Sequence, residues 1–270
     1  MRKLELGWFS TGRDEAAAQL LLVVQNRILR EEIKGEISFV FSNRGQGEAE
    51  ESDLFFKLVR WLQIPLVCFS SKKFRSSGGY KPFTPQWRME YDEEVMKQLE
   101  RFHPDLCVLA GYMLIVSEEM CQKYKMINLH PAVPGGPTGT WQEVIWQLIE
   151  SEVATTGVMM HLVTPELDKG LAVTYCTFPI RGKPFDRYWK RIEGHFLEDI
   201  KRWEEENNPL FKEIRKHGLV REFPLIVATL KAFSEGRVRI GGGKIVNAKG
   251  EVINGYDLTK EIEAAVRNQI

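Results

Sequence analysis

The chain has 270 residues and a hydrophobic fraction of 43%, enough for one large domain or a domain with an appendix. Lys plus Arg and Asp plus Glu both number 37, so the formal charge is zero, and that balance gives no electrostatic basis for a general nucleic-acid binder or a membrane-surface protein. Cys68, Cys107, Cys121 and Cys176 are scattered, with no CxxC pair and no metal-like Cys/His spacing, so no metal site is expected. No run approaches the roughly 18 apolar residues of a membrane span, and the first residues lack the apolar length of a signal peptide; a reducing cytoplasm is the expected compartment.

In chain order, residues 4–10 read as a first strand and 10–14 as a turn with a helix N-cap candidate. Helical periodicity follows over 15–29, a second strand over 37–42, a helix over 49–62 and a third strand over 65–69. This β-α-β-α-β order predicts a parallel sheet with right-handed crossovers. Residues 70–86 break the rhythm with Lys72, Lys73, Arg75, Gly78, Gly79, Pro82 and Pro85, and read as a functional flap or mobile segment, whose cationic Ser/Gly loop either receives a phosphate or is a solvated surface loop. A helix is expected over 90–102. The nearly all-apolar run 105–111 suits the centre of a sheet covered on both faces. An apolar loop follows at 112–116, and Ser117 caps a helix to about 124.

The stretch from Met126 to Pro137 then stands out. An apolar run feeds into Asn128, Leu129 and His130, and Pro131, Pro134, Gly135, Gly136 and Pro137 cannot continue a central strand. Asn128 and His130 are two apart, so an extended chain points both to the same side, at the strand end where open α/β sheets bind ligands. An amide can hold a developing oxyanion and an imidazole can manage a proton; equally, both can be tied to nearby backbone groups. A helix over 139–151 follows. Strands are expected over 155–164, carrying His161, and over 171–180; their six-residue connection suits an antiparallel pair at the sheet edge.

Composition changes near Lys183-Pro184, which suggests a catalytic segment 1–183 and a C-terminal helical extension 184–270. The extension reads as charged helix over 185–217, a more apolar helix over 222–235, a hairpin over 237–246 and a closing helix over 257–268. The fold class is therefore α/β: an open, mostly parallel twisted sheet with helices on both faces, plus a helical extension with a small hairpin.

Asn128-Leu-His130-Pro131 followed by Leu167-Asp168-Lys-Gly170 resembles the formyltransferase family. Val40-Phe-Ser-Asn43, the run Val108-Leu-Ala-Gly-Tyr-Met113 and His161-Leu-Val-Thr-Pro-Glu-Leu-Asp168 fall in the family's order, and the resemblance covers about residues 4–180. It implies a Rossmann-like fold and transfer of a formyl group from 10-formyltetrahydrofolate to a primary amine, with glycinamide ribonucleotide of purine synthesis as the leading acceptor. By that resemblance Asn128 would bond the oxyanion of a tetrahedral intermediate, His130 would stabilise charge and shuttle protons, and Asp168 would set the state of His130. Tyr112, Met113, Leu114, Ile115 and Val116 match the segment lining the pterin pocket, while Arg88 and His161 match residues near the bound substrates. Ser10, Thr11, Gly12 and Arg13 take the place of the family's phosphate-binding first loop, but with one glycine and with Arg13 and Asp14 added. The loop after His130 is also shorter than the family's usual form. These departures leave open another amine acceptor, hydrolysis of the donor, or a non-catalytic folate-binding relative. A dinucleotide oxidoreductase is disfavoured, because no GxGxxG follows the first strand. Small molecules are the expected partners, and the sequence gives no oligomeric state.

Overall fold

A computed structural model describes residues 2–267. In chain order the elements are β1 (Leu4–Phe9), α1 (Glu15–Leu29), β2 (Gly35–Ser42), α2 (Glu50–Trp61), β3 (Leu66–Cys68), α3 (Pro85–Gln98), β4 (Leu106–Leu109), α4 (Glu118–Lys123), β5 (Met126–His130), α5 (Trp141–Glu150), β6 (Thr155–Leu162), β7 (Ala172–Pro179), α6 (Asp186–Ile192), α7 (Leu197–Glu204), α8 (Pro209–Ser234), β8 (Val238–Gly241), β9 (Lys244–Asn247), β10 (Tyr256–Asp257) and α9 (Thr259–Val266). Eight strands form one sheet in the order β10-β7-β6-β5-β4-β1-β2-β3, and β8 and β9 form a separate hairpin. Pairings from β3 to β5 are parallel; β6 runs antiparallel to both neighbours, and β10 is parallel to β7.

Side-chain alternation along each strand separates two cores. Leu6, Trp8, Val40, Val108 and Ile127 pack with α1, α2, α5 and α8 on one face. Phe9, Phe39, Phe41, Cys107, Leu109 and Met126 pack with α3 and α4 on the other. Asn128 and His130 continue the parity of Met126, so they face the α3/α4 side.

Four expectations are corrected. The helix expected over 90–102 begins at Pro85, because Thr84 caps it through the Trp87 N–H and proline suits a first helical position. The segment 70–86 is no free flap. Phe74 packs against Phe69, Trp87 and Tyr91 at ring separations of 5.7, 5.5 and 5.4 Å, and Glu90 accepts the Ser77 and Gly78 N–H groups at 2.7 and 3.3 Å. The helix expected over 185–217 breaks into α6, α7 and the start of α8, and α8 runs on as one 26-residue helix through Gly218 and Pro224 into the helix expected over 222–235. An internal proline costs about 3 kcal/mol, and burial of Leu210, Phe211, Ile214, Leu225, Ile226 and Leu230 along α8 offsets it. Finally, the β6–β7 pair is antiparallel but not the sheet edge, since β10 adds outside β7. The closing helix ends at Val266, and the last residue expected in it, Asn268, lies outside the described residues.

The extension after Lys183 therefore contributes both a strand of the main sheet and a face of its core. Arg221 of α8, with a side chain 3% exposed, donates to Glu263 of α9 at 2.7 and 3.1 Å and lies 4.3 Å over the Phe178 ring of β7. A chain truncated after Lys183 would leave the apolar residues under α8 uncovered. Calorimetry of that fragment is expected to show no cooperative unfolding transition; a sharp transition would make residues 184–270 a separable unit.

Candidate functional site

The site grows from β5. Antiparallel register sets Asn128 directly opposite His161 of β6, and on the other side of β6 the register with β7 shifts between Met160 and His161. The Asn128 amide nitrogen lies 3.4 Å from His161 Nε2. After β6 the chain turns and brings Asp168 back between the two imidazoles. One Asp168 oxygen is 3.5 Å from His130 Nδ1, and the other is 3.4 Å from His161 Nε2. The Asp168 side chain is 5% exposed, and those of both histidines are 3%.

Asp168 holds φ at +54°, a left-handed conformation that is unusual for a residue with a side chain and concentrates at functional sites. Two glycines make this possible. A Cβ on Gly170 would sit 1.7 Å from the Leu162 carbonyl oxygen, so only glycine lets the turn close on β6. Gly139, at φ +112°, donates its N–H to Asp168 at 3.3 Å.

Each imidazole has one nitrogen committed to a backbone carbonyl, which fixes where a proton sits. His130 Nε2 is 2.8 Å from the Pro137 carbonyl oxygen, and His161 Nδ1 is 2.8 Å from that of Leu162. Carbonyls only accept, so both nitrogens carry hydrogen, and the second nitrogen of each ring faces the same carboxylate. Burial pushes the His130 pKa below its ordinary value of 6.5, against the opposing pull of the Pro137 carbonyl and the Asp168 charge. Burial raises the Asp168 pKa, but the His161 hydrogen bond, the His130 charge and the Gly139 N–H together hold it below 3.8.

The predicted binding residues divide. Met113, Leu114, Ile115 and Arg88 line one cavity of about 680 Å³, at the carboxyl ends of β1 and β4 where the strand order reverses. Tyr112 and Val116 do not present side chains to it: they are buried in the α3/α4 core, Tyr112 packing on Phe9 at 5.7 Å. His161 belongs to the Asp168 cluster instead of the cavity wall. In the first loop, Ser10, Thr11 and Gly12 are buried with their N–H groups committed, to Phe41 O at 3.0 Å, Gly111 O at 3.1 Å and Ser10 Oγ at 3.2 Å. Arg13 is exposed and lines the cavity, 3.2 Å from Asp14.

Several residues escaped the sequence reading. Asn43 accepts from Thr11 Oγ1 at 2.8 Å and donates to Ser71 Oγ at 3.3 Å, joining the loops after β1, β2 and β3. Arg44, Trp87, Tyr91 and Asp92 also line the cavity. Two signals were available for Asn43: it follows a parallel strand at its carboxyl end, and it closes the Val40-Phe-Ser-Asn43 run that resembles the family. The Pro137 carbonyl and Gly139 N–H carry no side-chain signature at all.

The match to known proteins agrees with this architecture. Residues 16–183 match the model of the formyl transferase family, more than half of the chain, and the chain belongs to that family. Among its relatives is the phosphoribosylglycinamide formyltransferase of Haemophilus influenzae, 26% identical over 215 residues that span 77% of this chain and 79% of that enzyme. The Escherichia coli enzyme of the same name is 31% identical over 156 residues, 55% of this chain and 62% of that protein, so this match spans less than two thirds of the relative. In solved structures the fold resembles the phosphoribosylglycinamide formyltransferase of Coxiella burnetii, with a TM-score of 0.66, 18% identity and coverage of 95% of this chain and 99% of that one. A formyltetrahydrofolate deformylase from Pseudomonas syringae shares the fold at a TM-score of 0.57 and 21% identity, over 91% of this chain and 66% of that one.

The Asp168 charge favours the protonated form of His130. Asp168→Asn should therefore lower the His130 pKa further, read as the imidazole titration midpoint by NMR. An unmoved midpoint would mean that the carboxylate and the ring do not interact. Because the native pKa is depressed, His130 contributes stability that is present above pH 6.5 and lost as the pH falls below it.

Proposed function

We propose that the chain transfers a formyl group from 10-formyltetrahydrofolate to the primary amine of glycinamide ribonucleotide. The observation that carries this reading is the convergence of Asn128, His130 and Asp168 at one strand end in a member of the formyl transferase family. Its support from relatives is the shared name of the Haemophilus influenzae and Escherichia coli enzymes.

The reaction forms a bond from the amine nitrogen to the formyl carbon and breaks the bond from that carbon to the folate nitrogen. A proton leaves the amine and ends on the folate nitrogen. Two services are needed: a fixed donor for the formyl oxygen as it gains charge, and a group that takes and returns the proton. Asn128 is half-buried and supplies the donor from its amide nitrogen. His130 takes the proton, its neutral ring favoured by burial, and Asp168 stays ionised to stabilise the imidazolium that results. His161, anchored on the Leu162 carbonyl, orients the other Asp168 oxygen. His130 presents Nε2 to the substrate as an acceptor once the Pro137 carbonyl, 2.8 Å away, releases it and the ring's hydrogen moves to Nδ1, where Asp168 accepts it. Met113, Leu114 and Ile115 offer an apolar wall to the flat ring of the donor, with Arg88 lining the same cavity for an anionic group; Tyr112 and Val116 act through the backbone they anchor.

Purified protein given both substrates is expected to form tetrahydrofolate in step with formylated ribonucleotide. Asn128→Ala should lower kcat by about 10²–10³-fold, as loss of one oxyanion donor does. His130→Ala should cost about 10²–10⁴-fold, the usual share of general acid–base catalysis. The acid limb of the rate profile should lie below pH 6.5, because the ring must be neutral to accept the proton. Folate release with water alone or only with a different amine would sink the proposed acceptor; full turnover in Asn128→Ala, His130→Ala and Asp168→Asn would sink the proposed site.

A further inference from the structure

The first loop offers an anion little. The N–H groups of Ser10, Thr11 and Gly12 are spent within the protein, and the Thr11 carbonyl accepts from Ser52 Oγ at 3.2 Å. At the helix start that follows, Asp14 accepts from the Ala17 N–H at 3.0 Å and sets a carboxylate beside the first turn. A phosphate placed there would meet that negative charge and none of those three backbone donors.

The neighbouring cavity has the opposite character. Arg13, Arg44, Lys72 and, on α3, Arg88 line it, along with the polar side chains of Asn43 and Ser71. Neither Arg44 nor Lys72 forms an ion pair among the described residues. Both hang on a fixed frame. Arg44 donates to Ser52 Oγ at 3.0 Å, and Ser52 is completely buried. Lys72 follows Ser71, whose N–H donates to the Asn43 carbonyl at 2.9 Å. Two carboxylates also line the cavity. Glu48 is partnered by Lys73 at 3.6 Å, and Asp92 accepts the Ser117 N–H at 2.6 Å. The cations of Arg44 and Lys72 are thus left for a ligand, and a guanidinium offers an oxyanion two parallel N–H donors.

We propose that Arg44 and Lys72, with Arg13 at the rim, form an oxyanion subsite that replaces the main-chain cradle of the first loop and holds an anionic substituent of a substrate. The inference rests on the formyl-transfer reading for which substrate that is. A phosphate monoester on the amine acceptor is one source, and the glutamate carboxylates of the folate donor are the other.

Arg44→Met and Lys72→Met separate the cases, with thermal melting to confirm that each variant folds. Loss of a charge-assisted pair is expected to weaken binding by about tenfold or more. Calorimetric titration of the folded protein with inorganic phosphate should show that loss in both variants, and the affinity in wild type should fall with added salt. In steady state, a KM that rises for glycinamide ribonucleotide but not for the donor assigns the subsite to the acceptor phosphate. A rise for the donor alone assigns it to the glutamate carboxylates. Weakened phosphate binding in a protein that formylates no amine would keep the subsite and discard the formyl-transfer reading. Unchanged phosphate affinity and unchanged KM values in both variants would overturn the subsite.

Discussion

The arrangement of the site depends on one buried carboxylate. Asp168 faces two imidazoles at 3.5 and 3.4 Å, and its side chain is 5% exposed. Taking an ionised carboxylate out of water is costly unless partners replace its hydration. Here the replacements come from three parts of the chain: His130 on β5, His161 on β6 and the Gly139 N–H before α5. The backbone in turn accepts a left-handed residue at Asp168, which is tolerated where surrounding structure over-determines the position.

The sheet makes this convergence possible. β5 lies between β4, which it joins in parallel, and β6, which it meets antiparallel. The parallel side places the ends of β1 and β4 in a crevice where Met113, Leu114 and Ile115 line a cavity. The antiparallel side puts His161 opposite Asn128 and leads into the turn with Asp168. The cavity thus lies past the ends of β1 and β4, and the Asp168 cluster past those of β5 and β6.

The first loop shows how a local change shifts binding elsewhere. Thr11 uses its N–H, its hydroxyl and its carbonyl within the protein, and Asn43 ties it to the loop after β3. That network spends main-chain donors of the first loop and at the same time fixes the frame behind Arg44 and Lys72. The segment that carries Lys72 is ordered by Phe74 among aromatic rings and by Glu90 on its N–H groups.

The sequence by itself determined the order of strands and helices up to Pro179 and the pairing of Asn128 with His130 on one face, because periodicity and proline placement act over a few residues. It also pointed to Asp168, through the motif that surrounds it. It did not determine the start of α3 at Pro85, where proline reads as a breaker until a cap and a core make it a first turn. Nor did it reveal that α8 passes through Pro224, or that Tyr256 and Asp257 close the sheet edge. Only the tertiary structure decided that the first loop's donors are spent, that Pro137 and Gly139 serve the site through backbone atoms, and that Asn43 joins three loops. Such roles depend on which groups meet across long stretches of chain, and backbone donors and acceptors look the same at every position of a sequence.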